Sequence, residues 1–440
     1  MCKMQVFPLR QFSSSREESG SRIQLNDSLI PFYQWFVGFC DAESSFMIQP
    51  VLDSNNVIRK ITWKFSIELH IDDLEVLKYI KSNLGLGNIR INKNKCIFTI
   101  TDSEGTNMLI AIFDKYNLNT TKFLDYLNFK ESFLLYQRRN KQIMDIGSKI
   151  ELANRILQLK NSMNTKRTNS SMPLDHKINI SKAWLLGYIE GDGSFFISRT
   201  DIEPVFSLSA TEEQYDLYLK IKEFLIANLG FDKYSLFKLN SSQAIAINLS
   251  KARNNGKPTV SLIIKNVKLL NNYFIPFFDD LLFISKKGLD FKDFKLICAA
   301  VYNGLHKSEE IRSLILKLSY NMNNFRLSTS KQSSEVLNLD QRDKIAKASP
   351  LFKYLDDGRI LDLTNNSIIT KPNSLEYEVI TPEKDVILFD SLKEVLAKVG
   401  VGFRTMVSAM KLDSGERVEI KGYIVKRIPV FGKKLEREIR

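Results

Sequence analysis

The segment WFVGFCDAESSF, Trp35 to Phe46, returns as WLLGYIEGDGSF, Trp184 to Phe195, with the two tryptophans 149 positions apart. Apolar residues fill every face of each segment, so each reads as a helix. Gly38 and Ala42 in the first copy, and Gly187 and Gly191 in the second, stand four apart on one helix face. Small residues at that spacing let two helices approach closely, so the simplest use of the pair is to pack Gly38 and Ala42 against Gly187 and Gly191.

The segments after each helix also correspond. In RKITWKFSIEL, Ile61, Trp63, Phe65, Ile67 and Leu69 alternate with Lys60, Thr62, Lys64, Ser66 and Glu68, the period of a strand with one dry and one polar face. A helix DLEVLKYIKSNLG, a hairpin NIRINKNKCIFTI and the helical NMLIAIFDKY leading into TTKFLDYLNFKESFLLY complete the first unit. Its counterparts are QYDLYLKIKEFLIANLG, a longer region from Tyr234 to Asn266, and the stretch from Asn271 to Tyr302. Lys122 aligns with Lys287 at an offset of 165, so the surplus over 149 lies in the second hairpin region.

The fold class is α+β: two pseudo-symmetric repeats of helix, two strands, helix, two strands, helix. We expect an N-terminal tail over 1–27, repeat 1 over 28–150, a linker over 151–180 and repeat 2 over 181–325. A polar connector over 326–380 and a small helical module over 381–440 follow. In that last part, Asp390 or Ser391 caps a helix through Lys398, Gly400 and Gly402 make a turn, and FRTMVSAMK supplies a second helix. This is helix-turn-helix spacing.

With 63 Lys and Arg against 50 Asp and Glu, the chain carries +13, a balance suited to a polyanion such as nucleic acid or an acidic membrane surface. Cys2, Cys40, Cys96 and Cys298 form no CxxC pair, which argues against a zinc site or a disulfide framework. His70, His176 and His306 are isolated, which argues against metalloenzymes and nucleases built on clustered histidines. The most apolar run is broken by Asp279 and Asp280, so no membrane span is expected. The first residues have the Ser and Arg content of a transit peptide, but Glu17 and Glu18 break its acid-poor pattern.

Glu43 closes the first motif helix and Asp192 the second, placing carboxylates where the helix dipole is already negative. Two acids brought together there repel unless a cation sits between them, and hard oxygen ligands with an open side favour Mg²⁺. Divalent ions on few carboxylates beside a basic sheet suit attack of water on a phosphodiester. Asp41 and Glu190, two residues earlier, point elsewhere on the helix and read as structural.

These residues resemble the LAGLIDADG homing endonuclease family, in its single-chain, two-motif type encoded in organellar group I introns. The signature lies on FVGFCDAES and LLGYIEGDG, and the likeness runs over about residues 28–325. It implies two antiparallel sheets forming a saddle on the DNA major groove, with the motif helices at the interface. It further implies two or three Mg²⁺ ions held by Glu43 and Asp192, the carbonyls of Ala42 and Gly191 near metal, and basic residues at the scissile phosphates on Lys122 and Lys287. The motif's closing glycine is Gly193 in one copy but Ser44 in the other. Glycine readily adopts φ > 0 at a helix end and serine does so at a cost, which leaves the first active-site turn open to a shift. The tail from about Val386 resembles small helix-turn-helix modules that follow intron-encoded nucleases, which implies that it binds DNA beside the main site.

Lys60, Lys64, Arg90, Lys95, Arg199, Lys238 and Arg253 are expected to contact DNA, since Arg and Lys on strands reach both phosphates and guanine. The expected function is a site-specific, Mg²⁺-dependent double-strand DNA endonuclease of intron homing, acting as a monomer on a duplex target. The alternative is a group I intron RNA maturase on the same fold. Family habit and a Lys, Asn and Ile-rich composition place it in the mitochondrial matrix.

Overall fold

The computed structural model describes residues 23–139, 144–230, 244–252, 256–331, 336–355, 360–369, 374–389, 391–409 and 417–430. In the first repeat, α1 (Ile30–Glu43) carries Pro31 in its first turn, where the missing N–H would have had no helical partner. It leads into β1 (Ser44–Leu52), β2 (Ile58–His70), α2 (Leu74–Leu84), β3 (Asn88–Asn92), β4 (Lys95–Ile100), α3 (Ser103–Lys115) and α4 (Lys122–Arg139). Asp102 caps α3 by accepting from the Gly105 amide at 2.7 Å.

The second repeat follows the same plan. Ser181 caps α6 (Lys182–Asp192) through the Trp184 amide, and β5 (Gly193–Ser198), β6 (Glu203–Thr211), α7 (Tyr215–Asn228), β7 (Ala246–Ser250) and β8 (Thr259–Ile264) come next. A helical run over Val267–Leu269, Leu270–Phe274 and Ile275–Asp279 then precedes α8 (Lys287–Tyr302). The two sheets run β1-β2-β4-β3 and β5-β6-β8-β7, and every pairing is antiparallel. Where each repeat was expected to close on one helix it has two helical pieces, because the chain breaks ahead of α4 and α8 to meet buried acceptors of α1 and α6.

Register puts the alternation of β2 to use. Phe46 pairs with Phe65 and Ile48 with Trp63 on the face that packs under α3 and α4, where Phe36, Phe113 and Tyr126 are also fully buried. Each such aromatic contributes about 2 kcal/mol by leaving water. Phe195, Phe206, Phe274 and Phe294 repeat the arrangement in the second unit. One apolar core runs through both repeats across the α1–α6 seam.

Between the repeats, α5 (Ile146–Asn161) buries Ala153, Ile156 and Leu159 in that core, so the expected linker boundary at 151 falls inside a packed helix. The expected connector also holds structure: a helix over Leu339–Lys347 with a capping box, and a three-stranded sheet of β9 (Phe352–Tyr354), β10 (Ile360–Asp362) and β11 (Ser367–Ile369).

The tail differs from the expected helical module. Its two helices, Leu392–Val399 and Phe403–Ala409, accompany a four-stranded sheet of β12 (Ser374–Ile380), β13 (Val386–Phe389), β14 (Arg417–Ile420) and β15 (Tyr423–Val430). Val379 and Val425 from the strands and Val395, Val399 and Met406 from the helices form a separate core. The tail is therefore a helix-and-sheet unit that starts at β12, not at 381. Among the described residues, no helix is long and apolar enough to cross a membrane.

Candidate active site

The site is built on the contact between α1 and α6. A Cβ placed on Gly38 would lie 2.0 Å from the Trp184 carbonyl oxygen, and one on Gly187 would lie 2.1 Å from that of Trp35. At Gly191 it would sit 2.3 Å from the Ala42 Cβ. Backbone meets backbone here, so no larger side chain fits at these positions.

Reciprocal hydrogen bonds lock the seam. Trp35 donates Nε1–H to Glu190 at 2.6 Å, and Trp184 donates to Asp41 at 2.9 Å. Asp41 also accepts from the Asn119 and Thr120 amides, both at 2.9 Å, and from the Thr120 hydroxyl at 2.6 Å. Glu190 accepts from the amides of Ile284 and Ser285 and from the Ser285 hydroxyl. Burial pushes both acids above their usual range, while these hydrogen bonds pull them back down. Asp41 and Glu190 thus fasten the turns that deliver Lys122 and Lys287.

Glu43 and Asp192 end the two helices. The Glu43 carboxylate reaches to 3.3 Å from where a Gly191 Cβ would be, beside the residue that precedes Asp192. Loss of water and then the Asp192 charge raise the Glu43 carboxyl, while Lys122 and Lys287 lower it. Asp192 is the more exposed of the two; it too is raised by desolvation and lowered by both lysines. Desolvation holds the Lys122 ammonium below its usual value. Lys122 donates to the carbonyls of Ala42 at 2.6 Å and Cys40 at 3.1 Å, whereas Lys287 donates to Gly193 at 2.6 Å. The two lysines are therefore not equivalent: one caps a helix end, the other reaches the strand beyond it.

A cavity of about 620 Å³ opens beside this cluster, lined by Glu43, Asp73, Gly191, Lys287 and Arg326 among others. Among the described residues, no group of three or more His, Cys, Asp or Glu side chains could hold a metal ion. Two carboxylates with adjacent main-chain oxygens fit a hard divalent ion that takes its other ligands from water or phosphate.

The concern over Ser44 does not hold. Ser44 has φ −86° and Gly193 φ −74°, both in extended backbone that any residue adopts. Gly193 is small for want of space, since a Cβ there would meet the Ile189 carbonyl oxygen at 2.5 Å. In the first copy the Ser44 hydroxyl donates to Cys40 at 2.7 Å and continues the helix end.

Of the expected DNA-contacting residues, Lys60 and Lys64 lie on β2, Arg90 on β3 and Lys95 on β4, where register puts them on the sheet face opposite Phe65. Lys95 is ion-paired with Glu68 at the surface, a weak interaction. Arg199 stands in the turn after β5, where its guanidinium lies 4.0 Å over the Tyr320 ring and donates to Ser319 at the end of the helix Glu309–Ser319, so it is held against that helix. Lys238 and Arg253 lie outside the described residues.

Two further pairings escaped the sequence reading. The Asp73 carboxylate accepts from the Lys286 amide across the seam, and Gln214 holds Thr121 in the same place in the other half. A Met-Asn-x-x-Arg turn also recurs, at Met163–Arg167 and Met322–Arg326, 159 positions apart. That short repeat was the signal available, but it sits in stretches whose polar composition resembles linker.

A family model described as LAGLIDADG endonuclease matches residues 36–133 and 185–298. The "Probable intron-encoded endonuclease Cox1-I1b" of Schizosaccharomyces pombe is 28% identical over 204 residues, 45% of this chain and 50% of that protein. The "Uncharacterized mitochondrial protein RF1" of Saccharomyces cerevisiae is 26% identical over 352 residues, 78% of this chain and 69% of that protein. This chain thus spans about half the length of the first relative and over two thirds of the second. Among solved structures, the I-SmaMI LAGLIDADG homing endonuclease bound to cleaved DNA is 25% identical, with a TM-score of 0.54 over 70% of this chain and 100% of that one. I-GzeII in complex with its DNA target, 24% identical with a TM-score of 0.55, covers 67% and 99% and shares the fold.

Proposed function

We propose that the chain is a member of the LAGLIDADG endonuclease family, whose model matches its two segments, and on that premise that it is a site-specific double-strand DNA endonuclease of intron homing. One observation carries the reading. Two helices pressed backbone to backbone bring Glu43 and Asp192 to neighbouring ends, with Lys122 and Lys287 acting on both acids.

In this reading Glu43 and Asp192 hold two or three Mg²⁺ ions, with the Ala42 and Gly191 carbonyls contributing. Such ions, when bound, lower the pKa of attacking water and stabilise the leaving oxygen of a phosphodiester. Lys122 and Lys287 supply positive charge to the scissile phosphates, and their present carbonyl partners are contacts they exchange for phosphate oxygens. Lys60, Lys64, Arg90 and Lys95 set one half of the duplex on the sheet face by charge. A single chain carries both half-sites, so a monomer suffices. Mitochondrial action is supported by the name of the Saccharomyces cerevisiae relative, and a place in the matrix rests on the family resemblance. The RNA maturase alternative has no observation of its own, and the relatives with functional names are endonucleases.

The test is incubation of the protein with duplex libraries carrying intron-less insertion sites and Mg²⁺. A double-strand break lost in Glu43→Gln and in Asp192→Asn, with duplex binding retained in Ca²⁺, supports the reading. Breaks that persist in both variants would sink it.

A further inference from the structure

Each repeat has an Asn-x-x-Arg turn that ties the strand leaving the motif acid to the helix that begins with the site lysine. In the first, Asn164 takes φ +52°, a left-handed conformation asparagine tolerates better than most residues. Its side chain donates to the Phe46 carbonyl at 3.0 Å, and its amide donates to Asp125 at 2.7 Å. Arg167 ion-pairs with the same Asp125 and donates to the Thr121 carbonyl at 2.7 Å. The second copy repeats the asparagine and aspartate bonds: Asn323, at φ +55°, to Phe195 and Asp290, and Arg326 to Asp290 at 2.8 Å. Arg326 also pairs with Asp293, which Arg342 holds from the other side.

The placement of the aspartates turns a strut into something more. Asp125 stands three residues after Lys122, and Asp290 three after Lys287, so each carboxylate shares a helix face with the site lysine. Lysine is a mobile point charge that goes to whichever oxygen is nearest, whereas arginine's planar fork takes a carboxylate in a fixed orientation. Arg167 and Asp125 are nearly buried, with side-chain exposures of 9% and 11%, so the contest is settled in a poorly solvated place.

We propose that Arg167 and Arg326 are positioning residues for cleavage: by occupying Asp125 and Asp290 they keep Lys122 and Lys287 turned toward the ends of the motif helices. The inference rests on the nuclease reading above. It goes further in assigning each arginine to one half-site, hence to one DNA strand. Without Arg167, the Lys122 ammonium collapses onto Asp125 and leaves the Ala42 carbonyl.

The experiment compares the full-length wild type, Arg167→Gln, Asp125→Asn and the double variant on a cleavable duplex, with each strand labelled separately. Arg167→Gln is expected to slow one strand about 10-fold in kcat, with KM unchanged and nicked duplex accumulating. The double variant is expected to recover most of that rate, because the competing carboxylate is gone; a purely structural brace predicts the double to be no better. Melting curves read folding independently, and Asp125→Asn keeps the question open should Arg167→Gln fail to fold, since it is expected to cut both strands near the wild-type rate. Equal slowing of both strands, or no recovery in the double, overturns the proposal. A wild type that cuts no duplex overturns the nuclease reading and this inference together, which distinguishes the two failures.

Discussion

The indole N–H of Trp35 donates to the Glu190 carboxylate at 2.6 Å, so a side chain of one motif helix satisfies a buried charge on the other. Its mirror, Trp184 to Asp41, does the same in reverse. Glu190 in turn accepts from Ser285, two residues before Lys287, so the seam and the placement of the site lysine are one network. Trp35→Phe removes one donor from that network and is expected to cost about 1–3 kcal/mol in chemical denaturation, the usual penalty for a buried acceptor left unpaired. A variant as stable as wild type would mean water replaces the indole.

Gly38→Ala and Gly187→Ala address the seam itself. Their new methyls would meet main-chain oxygens at 2.0 and 2.1 Å, and neither helix can yield without moving the other. A loss of more than about 3 kcal/mol is expected for each, the range of overpacked cores. Calorimetry on either variant decides it, and near-native melting would show that the helices lie further apart.

Ser44 and Gly193 should respond in opposite senses. Ser44→Gly loses the hydroxyl bond to Cys40, about 1 kcal/mol, and gives no gain in cleavage, since no left-handed backbone is needed there. Gly193→Ser places atoms against the Ile189 carbonyl and should abolish cleavage in its own half-site. Faster cutting by Ser44→Gly in a single-turnover assay would contradict the backbone geometry.

Glu43 sets a pH dependence in the metal-free protein. Its folded pKa is raised above the ordinary value of 4.5 by desolvation and by Asp192, so folding disfavours its ionised form. The stability it allows is fully present below that ordinary value and is lost as pH rises through the folded one. Glu43→Gln should therefore match wild type near pH 4 and be the more stable of the two at pH 7. Adding Mg²⁺ should raise the melting temperature of wild type only. Parallel stability curves for the two proteins across that pH range would show that the carboxylate is well solvated.

The tail offers a separate measurement. Because its core draws on β12, removing residues 374–440 takes away a whole unit, whereas a cut at 381 would leave a strand behind. The shorter protein should protect fewer base pairs beside the main site while still cutting it. A footprint of unchanged length would remove the tail from DNA binding.

The duplicated motif already contained the architecture in its residues. Small residues four apart, an acid at each helix end and the alternation on β2 are local patterns, and local patterns depend on spacing alone. For the same reason the helix-terminal acids Glu43 and Asp192 could be picked out by matching the repeats, whereas Lys122 and Lys287, though aligned, drew their proposed role from the family resemblance. Arg199 could not be read that way, because whether a basic side chain faces solvent or stacks on Tyr320 depends on a helix 120 residues further along.

The sequence by itself determined that two homologous halves exist and which residues end their shared helices. Only the tertiary structure decided how closely those ends meet, that Ser44 fits without strain, and that Lys122 and Lys287 take different carbonyls. These are outcomes of packing, in which neighbours remote in the chain compete for the same few ångströms of space and the same hydrogen-bonding oxygens.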